Sequence, residues 1–508
     1  MISIQLRDLQ LLSGNSWDQA ATPDRRLITL SVKKDPLLSM SSAETSTTVS
    51  PAENRSNLRE LVVVALPLML SAGSQSLMNA ADRVILAGCS EDALAAVTPA
   101  SMLHWTIVCV PMGTVLYANT FISQFDGAGQ KERMLSSFWQ AVWLAIVSGF
   151  ALWAFLPISR VLLPLTGHSP GVVELEAQYF NILCAGAPVH MLGTALSCFF
   201  SGRRRTRSVM LNSMAAVVAN GGVSYLLTYG FGPIPALGIR GAAIGTVTAR
   251  CLELGMYLVW ILRESRRELL PLWSTCKLDR GLLLQFLRYG LPSGLHYFVD
   301  ISGFTVFLLI VGNLNNQALA ATNIAFSING LIFVPLLGFG TAIQTVVGHH
   351  IGGGDIRAAR DTTRNAAMMS VLWTGGTAVI LVLYPEWMLR PFFLLADPEI
   401  SGGADITALA RTAARLLYFV AAYSVFDALA VVYSSALRGA GDTVFPMLIT
   451  LCSSWLIMVL PASIIIRSDH ATILQLWLTC TAHISFTGIC MLLRYVSGRW
   501  QRIHLTDT

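Results

Sequence analysis

Three aspartates lie in or beside long apolar stretches of this sequence, where a carboxylate is costly to keep. Asp300 falls in PSGLHYFVDISGFTVFLLIVG, Asp427 falls in LLYFVAAYSVFDALAVVYSSAL, and Asp82 follows an apolar run that begins at Leu61. An aspartate at the centre of a bilayer costs about 2.5–3.5 kcal/mol, so something must compensate it. A buried carboxylate can hold H⁺ or Na⁺ and release it when another cation approaches. The three acids therefore indicate a transporter that exchanges cations.

Two of these acids have a useful neighbour one helical turn earlier. His296 precedes Asp300 by four residues, and Tyr423 precedes Asp427 by the same interval, so each pair shares a helix face. The phenol can hydrogen-bond the carboxylate and offers a further oxygen to a cation. We therefore predict a cation-coupling site formed by Asp300, Asp427 and Tyr423, at which Na⁺ could bind. The alternative for each acid is a permanent bond to a neighbouring helix.

Asp82 is predicted as a further coupling residue, although an aspartate at a helix end that reaches out to water fits its position nearly as well. Asn220, Asn323 and His296 are predicted to line a substrate cavity. The alternative for polar residues such as these asparagines is that they tie helices together.

The composition indicates an integral membrane protein. Of the 508 residues, 54% are hydrophobic and 12% are charged, and the mean hydropathy is +0.59, whereas soluble domains have about 25% charged residues. Helices are required because an open strand would leave backbone groups unpaired in lipid. Twelve apolar runs are long enough to cross a core of about 30 Å. The predicted spans are 61–86, 95–122, 138–158, 174–200, 209–229, 241–262, 282–311, 319–346, 366–388, 409–436, 445–466 and 471–493.

The two halves of the chain resemble each other at a constant shift in numbering. Pro67 corresponds to Pro292, and the loop SQFDGAGQKERM corresponds to GHHIGGGDIRAAR, with Gly127 opposite Gly352. We call this shift, which takes position 67 to position 292, the repeat offset. The predicted fold is thus an all-α membrane protein with two six-helix lobes related by a pseudo-two-fold axis, which places substrate between the lobes. The predicted division is a disordered tail 1–57, a first lobe 58–265, a linker 266–281, a second lobe 282–495 and a short tail 496–508.

Basic residues are concentrated in alternate loops. The loops after spans 2, 4, 6 and 8 and the C-terminus carry Lys131, Arg133, Arg203, Arg204, Arg205, Arg207, Arg263, Arg266, Arg267, Lys277, Arg280, Arg357, Arg360, Arg364, Arg494, Arg499 and Arg502. The opposite loops hold few. By the positive-inside rule, both termini are expected in the cytoplasm.

Several other chemistries are disfavoured by the motifs. The nine Cys residues include no CxxC pair, which indicates small buried hydrophobes rather than disulfides or a metal site. A GxxxxGK[ST] phosphate loop is lacking, so the chain carries no ATP-driven pump of that type. Gly439 to Asp442 form the GxGD pattern of intramembrane aspartyl proteases, but Asp442 is expected outside the membrane as the N-cap of span 11. Arg250 and Glu253 are expected to pair with each other.

Six stretches carry a resemblance to a known family: MNAADRVILAG, SQFDGAGQKERM, GFGPIPALGIRGAAIGT, HYFVDISGFTVFLLIV, VGHHIGGGD and YSVFDALAVVYSSALRGAGDT. They are similar to the MATE (multidrug and toxic compound extrusion) transporters, within them the NorM-like branch, over about Leu61 to Arg494. The resemblance implies a two-lobed antiporter of the bacterial inner membrane that exports organic cations in exchange for Na⁺ or H⁺. The acids of the family fall on Asp82, Asp300 and Asp427.

The same resemblance places the family's tyrosine on Tyr423 and puts Asp300 where the family commonly has Glu. Another branch couples H⁺ through a second aspartate, which would fall on Ser224 here, so that mechanism is not implied. The expected partners are small organic cations and the lipid bilayer, with no nucleic acid, no cofactor beyond the coupling ion and no second subunit. The rival functions are a flippase of lipid-linked precursors, whose polyanionic substrate would require a basic cavity, and the aspartyl protease.

Overall fold

The protein is nearly all-helical in the computed structural model, which describes residues 51–166, 168–233, 235–394, 406–468 and 470–503. Within these residues, 11 helices are long and apolar enough to cross a membrane, and a bent pair of helices makes a possible twelfth span. The predicted all-α membrane fold is confirmed. The chain is an integral membrane protein.

The helices of the first half are α1 Pro51–Ala87, α2 Glu91–Leu116, α3 Ala118–Gly127, α4 Lys131–Ala151, α5 Ser159–Leu162, α6 Pro170–Ala185, α7 Ala187–Gly202, α8 Thr206–Tyr229 and α9 Ile239–Glu268. Those of the second half are α10 Arg280–Gly312, α11 Asn316–Gly352, α12 Ile356–Leu383, α13 Pro385–Leu394, α14 Ile406–Ala440, α15 Val444–Cys452, α16 Leu460–Ile465 and α17 Ile473–Val496. A π-helical segment, Ser453–Val459, joins α15 to α16.

Each predicted span corresponds to a helix or to a pair of helices, with differences at breaks and ends. The fourth span is the pair α6 and α7, bent by 46°. Pro188 near the start of α7 explains the bend, because its ring and missing N–H prevent a continuous helix. Helix α1 begins at Pro51, so the end of the predicted tail 1–57 is helical. Residues 1–50 lie outside the described residues.

The predicted C-terminal tail 496–508 is also partly structured. Arg499–Arg502 form a 3-10 helix, and the side chain of Trp500 is buried against the bundle. Residues 504–508 lie outside the described residues.

The pseudo-two-fold relation is visible as reciprocal contacts between the halves. Helix α2 packs on α10, and α1 packs on α11. A Cβ added to Gly113 would lie 2.8 Å from the Cα of Gly294, and one added to Gly338 would lie 2.6 Å from the Cα of Met69. The repeat offset takes position 113 to position 338, and it takes position 69 to position 294. The same close approach therefore occurs twice, as expected when a two-fold axis relates the two sides.

These close contacts lie toward one end of the bundle, which we call the basic end because the loops with most Lys and Arg follow α3, α7, α9 and α11 there. Farther along, the same helix faces are exposed. Ser327 and Leu331 continue the face of Gly338, and Ser76 continues the face of Met69; all three are exposed. The halves thus meet at the basic end and diverge toward the other end, forming a cleft.

The π-helical segment Ser453–Val459 packs between α10 and α17. Ser453 bonds Thr487 (2.8 Å) and His483 Nδ1 (3.0 Å) of α17. On the other side, a Cβ added to Gly303 of α10 would overlap the hydroxyl oxygen of Ser454. The π-helical segment therefore packs directly on the backbone of α10, one helical turn after Asp300.

Replacing Gly303 by alanine should lower the free energy of unfolding by about 1–3 kcal/mol, the usual effect of overpacking a tight contact. Ser454 is fully buried, so its side chain has little room to move. The matched control is Gly376→Ala, because a Cβ there meets nothing within 4 Å. Thermal unfolding of the purified protein in detergent compares the two. Equal melting temperatures for both variants would contradict the close contact.

Candidate cation-binding sites

Asp300 and Asp427 face the interior of the second half. Their charges are close enough to act on each other and on Cys480, a fully buried residue of α17. Both side chains are partly exposed. Neither carboxylate forms a hydrogen bond or an ion pair with any residue that the structure describes. The two acids thus face protein rather than lipid, and they remain available to a mobile ion.

The nearest candidate for a permanent partner is Arg438, three turns after Asp427 on α14. Its charge reaches Asp300, but the two side chains form no ion pair. The guanidinium instead donates to Ser435 Oγ (3.2 Å) and lies over the ring of Tyr297, 5.6 Å from its centroid. Arg438 therefore adds positive potential near the acids without neutralising them.

Tyr423 is fully buried, and its hydroxyl has no hydrogen-bond partner among the described residues. The hydrogen bond expected between this phenol and Asp427 is not present. Side chains of a helix lean toward its N-terminus, so the Tyr423 ring extends away from the residue that follows one turn later. Among the described residues the phenol oxygen is consequently an unused donor and acceptor, and the charge of Asp427 acts on it.

His296 and Asn323, two of the residues predicted to line the substrate cavity, occupy different environments. The Nδ1 atom of His296 is buried without a partner in the described part of the chain, and the ring packs 6.0 Å from that of Tyr297. Asn323 is exposed, and its carbonyl accepts a bond from Ser327 Oγ (2.7 Å). Asn323 therefore lies beside the exposed face of α11 that borders the cleft. Its role in the cavity stays a prediction.

Asp82 lies in a separate polar cluster inside the first half. Its Oδ2 accepts bonds from Thr246 Oγ1 (2.8 Å) and Tyr179 Oη (3.5 Å). Its Oδ1 accepts bonds from Asn220 Nδ2 (3.1 Å) and Ser224 Oγ (3.3 Å). The side chain is 3% exposed. Asp82 is thus held by three other helices, and the alternative of a helix-end aspartate in water is wrong.

Asn220 lies inside the first half rather than on the exposed helix faces that border the cleft, and its role in a substrate cavity stays a prediction. It is fully buried and donates to Asp82, while its own Oδ1 has no partner among the described residues. The physical reason is the close packing of α8 on α9, where a Cβ on Gly245 would lie 2.7 Å from the Cα of Ser224. That contact turns this face of α8 inward.

Sequence reasoning missed Thr246 and Tyr179 as partners of Asp82. Thr246 directly follows Gly245, which forms a GxxxG pair with Gly241, a pattern typical of close helix packing. A polar residue beside such a pair is the signal that could have pointed to it. Tyr179 offers no comparable signal, because its contact with Asp82 depends on how α6 packs.

Arg250 and Glu253 pair as predicted, with Nη1 of the arginine 2.8 Å from the carboxylate. Arg250 also donates to the side-chain oxygen of Gln75 on α1. These residues line a cavity of about 20 Å³ together with Ser71 and Ser213. The space holds about one water molecule, so the cluster is a compact polar link between α1, α8 and α9.

Asp442 does not cap span 11. The N-cap of α15 is Thr443, which makes no side-chain capping bond, and the carboxylate of Asp442 accepts a bond from Arg494 Nε (2.7 Å). The capping prediction is wrong because a long-range ion pair holds this side chain. Arg494 holds the carboxylate of Asp442 in an ion pair, so the aspartate of the GxGD pattern has a structural role here.

Asp442→Asn should lower the free energy of unfolding by about 1.5–3 kcal/mol, the usual contribution of a hydrogen bond to a charged group. Transport per folded molecule should stay near the wild-type value. Asp355→Asn is the matched control, because Asp355 is exposed and caps α12, a role that Asn fills equally well. Unchanged stability together with lost transport would contradict a structural role.

The comparison with protein families gives two matches within this one chain. The MatE family profile matches residues 67–226 and again residues 292–464, which together cover more than half of the sequence. The starts of the two matches are related by the repeat offset, so the profile follows the same repeat as the reciprocal contacts. The chain belongs to the MATE family. The resemblance inferred from the sequence is thereby confirmed.

Curated MATE relatives match over most of their length. A protein named "Probable multidrug resistance protein NorM" from Thermotoga maritima is 28% identical over 450 residues, which are 87% of this chain and 93% of that protein. A protein of the same name from Xylella fastidiosa is 30% identical over 402 residues, 79% of this chain and 83% of that protein. The likeness is therefore to whole transporters.

Solved structures of MATE proteins share the fold. One described as "Outward-facing conformation of a multidrug resistance MATE family transporter of the MOP superfamily" superposes with a TM-score of 0.79 at 19% identity, covering 89% of this chain and 97% of that one. Another, "Crystal structure of MATE in the bent conformation", gives 0.77 at 19% identity, with the same coverage of 89% and 97%. The MATE arrangement of helices is thus retained at low sequence identity.

Proposed function

We propose that this MATE protein is a secondary active antiporter that exports organic cations or drugs from the cytoplasm in exchange for Na⁺ or H⁺ by alternating access. The observation that carries the proposal is the pair of carboxylates, Asp300 and Asp427, which lie inside the second half without an ion-pair partner among the described residues. Acids within membrane spans mark ion pathways and proton relays. The names of the relatives support drugs as substrates.

The donor atoms around these acids suit a hard cation. Oxygen atoms, which hard cations such as Na⁺ prefer, come from the two carboxylates and from the phenol of Tyr423, which has no partner among the described residues. Either carboxylate can instead bind H⁺. The ion is a transported species in this scheme, and no resident cofactor is proposed.

The ion drives transport only by binding the two orientations of the halves unequally. Each unit charge that crosses the membrane field contributes about 2.3 kcal/mol per 100 mV. A bound ion neutralises Asp300 and Asp427, and this weakens their attraction for a drug cation. Ion and drug therefore compete for the acids and cross on opposite strokes.

Asp82 is proposed as a second coupling residue, in the first half. The hydroxyl oxygens of Ser224 and Thr246 contact its carboxylate, and Asn220, which donates to it, has an Oδ1 without a partner among the described residues. A cation bound there would meet several oxygen atoms and one negative charge. This arrangement supports ion binding better than a purely structural cluster, which would leave no acceptor unused.

We propose that the basic end faces the cytoplasm, with both termini on that side of a bacterial inner membrane and the protein acting as a monomer. The asymmetry of Lys and Arg supports this orientation, and the bacterial relatives support the membrane. In this orientation the cleft opens to the outside.

Dye accumulation in inside-out membrane vesicles tests the function. We expect accumulation when a Na⁺ gradient or a pH gradient is imposed separately, and the gradient that works identifies the coupling ion. Vesicles without the protein are the control. Accumulation that ignores both gradients would overturn the proposal, and movement of lipid-linked precursors instead of dye would favour the flippase.

A further inference from the structure

Two hydrogen bonds between the halves are copies of each other. Asn119 Nδ2 donates to Thr345 Oγ1 (2.7 Å), and Gln344 Nε2 donates to Thr120 Oγ1 (2.6 Å). The repeat offset takes position 119 to position 344, and it takes position 120 to position 345. An amide of each half therefore bonds the threonine that follows the amide of the other half, which is the contact pattern of a two-fold interface.

The backbone around these bonds follows the same symmetry. A Cβ on Gly127 would overlap the carbonyl oxygen of His349, and a Cβ on Gly352 would overlap the carbonyl oxygen of Gln124. The repeat offset relates the two glycines to each other and the two acceptors to each other. Helices α3 and α11 can approach this closely only because glycine stands at both corresponding positions.

The two bonds lie at the basic end, where the halves touch, and away from the open part of the cleft. Thr120 and Thr345 are fully buried, and Asn119 and Gln344 are 2% and 8% exposed. Each bond joins two polar side chains, an amide and a hydroxyl. Polar groups that separate can exchange their bonds for bonds to water at small net cost, which suits a contact that must open and close repeatedly.

We propose that the Asn119–Thr345 and Gln344–Thr120 bonds form a reciprocal latch, which closes the basic end and opens whenever access to the cleft changes sides. The latch rests on the proposed alternating access. Each bond should favour the closed basic end roughly two- to tenfold. Because the two bonds are related by the two-fold symmetry, opening of the basic end breaks two equivalent hydrogen bonds.

Two further bonds support the closed position without being symmetric. Gln124 Nε2 donates to the carbonyl of Gly439 (2.8 Å), and the Tyr117 hydroxyl donates to that of Arg438 (3.1 Å). Both acceptors belong to the last turn of α14, whose carbonyls have no partners within the helix. The latch variants below remove neither of these two bonds. Both bonds therefore contribute equally to the closed position in the wild type and in each variant.

The test measures the distance between the halves at the basic end. A spin-labelled keto amino acid is placed at exposed, symmetry-related positions 132 and 357, which leaves the nine native Cys in place. Thr120→Val and Thr345→Val keep the side-chain shape and remove one acceptor each. We expect each variant to raise the population with a long distance roughly two- to tenfold, and the pair to multiply these changes.

Thr248→Val is the matched control, because Thr248 is exposed and its hydroxyl donates to a carbonyl of its own helix. If the valine variants do not fold, Gly127→Ala and Gly352→Ala serve as a second pair of variants. The added Cβ atoms should push the backbones of α3 and α11 apart. An unchanged distance distribution in the double variants would overturn the latch. The measurement needs no transport, so it is independent of whether export is observed.

Discussion

Replacing Asp427 by asparagine should abolish ion-coupled export while the protein stays folded in the membrane. The neutral amide binds no proton, and the loss of a charged partner should weaken cation binding roughly 10- to 150-fold. Because Asp427 makes no bond to a described residue, no structural contact is lost. The melting temperature should therefore equal or exceed that of the wild type. Dye accumulation in inside-out vesicles and thermal unfolding check the two parts.

Asp300→Asn should act in the same direction, and combining it with Asp427→Asn should add little, because both acids serve one ion. Asp92→Asn is the matched control, since Asp92 is exposed at the start of α2. Normal dye accumulation by the Asp427 variant would refute the assignment of this site.

Asp82→Asn should reduce both export and stability, which distinguishes the first half from the second. An amide at this position directs its NH₂ group at some of the four donors that now bond the carboxylate. The hydroxyls of Thr246 and Ser224 can turn to the carbonyl of Ala242, at 3.2 and 3.3 Å, so part of the loss is recovered. We expect a decrease of about 1–3 kcal/mol in the free energy of unfolding.

The same vesicle assay and thermal scan apply to this variant, again with Asp92→Asn as the control. The diagnostic result is a lower melting temperature for Asp82→Asn than for Asp427→Asn at similar loss of transport. A variant that melts and transports like the wild type would remove Asp82 from the proposed mechanism.

The sequence was sufficient for the fold because a bilayer imposes length and hydropathy on every span. It was also sufficient for the repeat, whose offset recurs in the contacts of Gly113 and Gly338. The Arg250–Glu253 pair could be predicted because both residues lie on one helix face. The spans, the repeat and one ion pair on a helix face were thus accessible.

Features that depend on how helices pack were not accessible. Asn220 and Asp82 are far apart in the chain, and nothing in either run indicates their contact. Asp442 and Arg494 are likewise distant, so a local capping rule gave the wrong partner.

Gln75 occupies in the first half the position that Asp300 occupies in the second, since the repeat offset takes position 75 to position 300. The side chain of Gln75 is tied to Arg250, which is neutralised in turn by Glu253. The two halves therefore differ in polarity at corresponding positions. In the second half this position holds Asp300, which bonds no described residue, whereas in the first half it holds Gln75, which is hydrogen-bonded to Arg250. A drug cation should accordingly bind nearer to the second half than to the pseudo-two-fold axis. The pathway would then be asymmetric although the two halves share one fold.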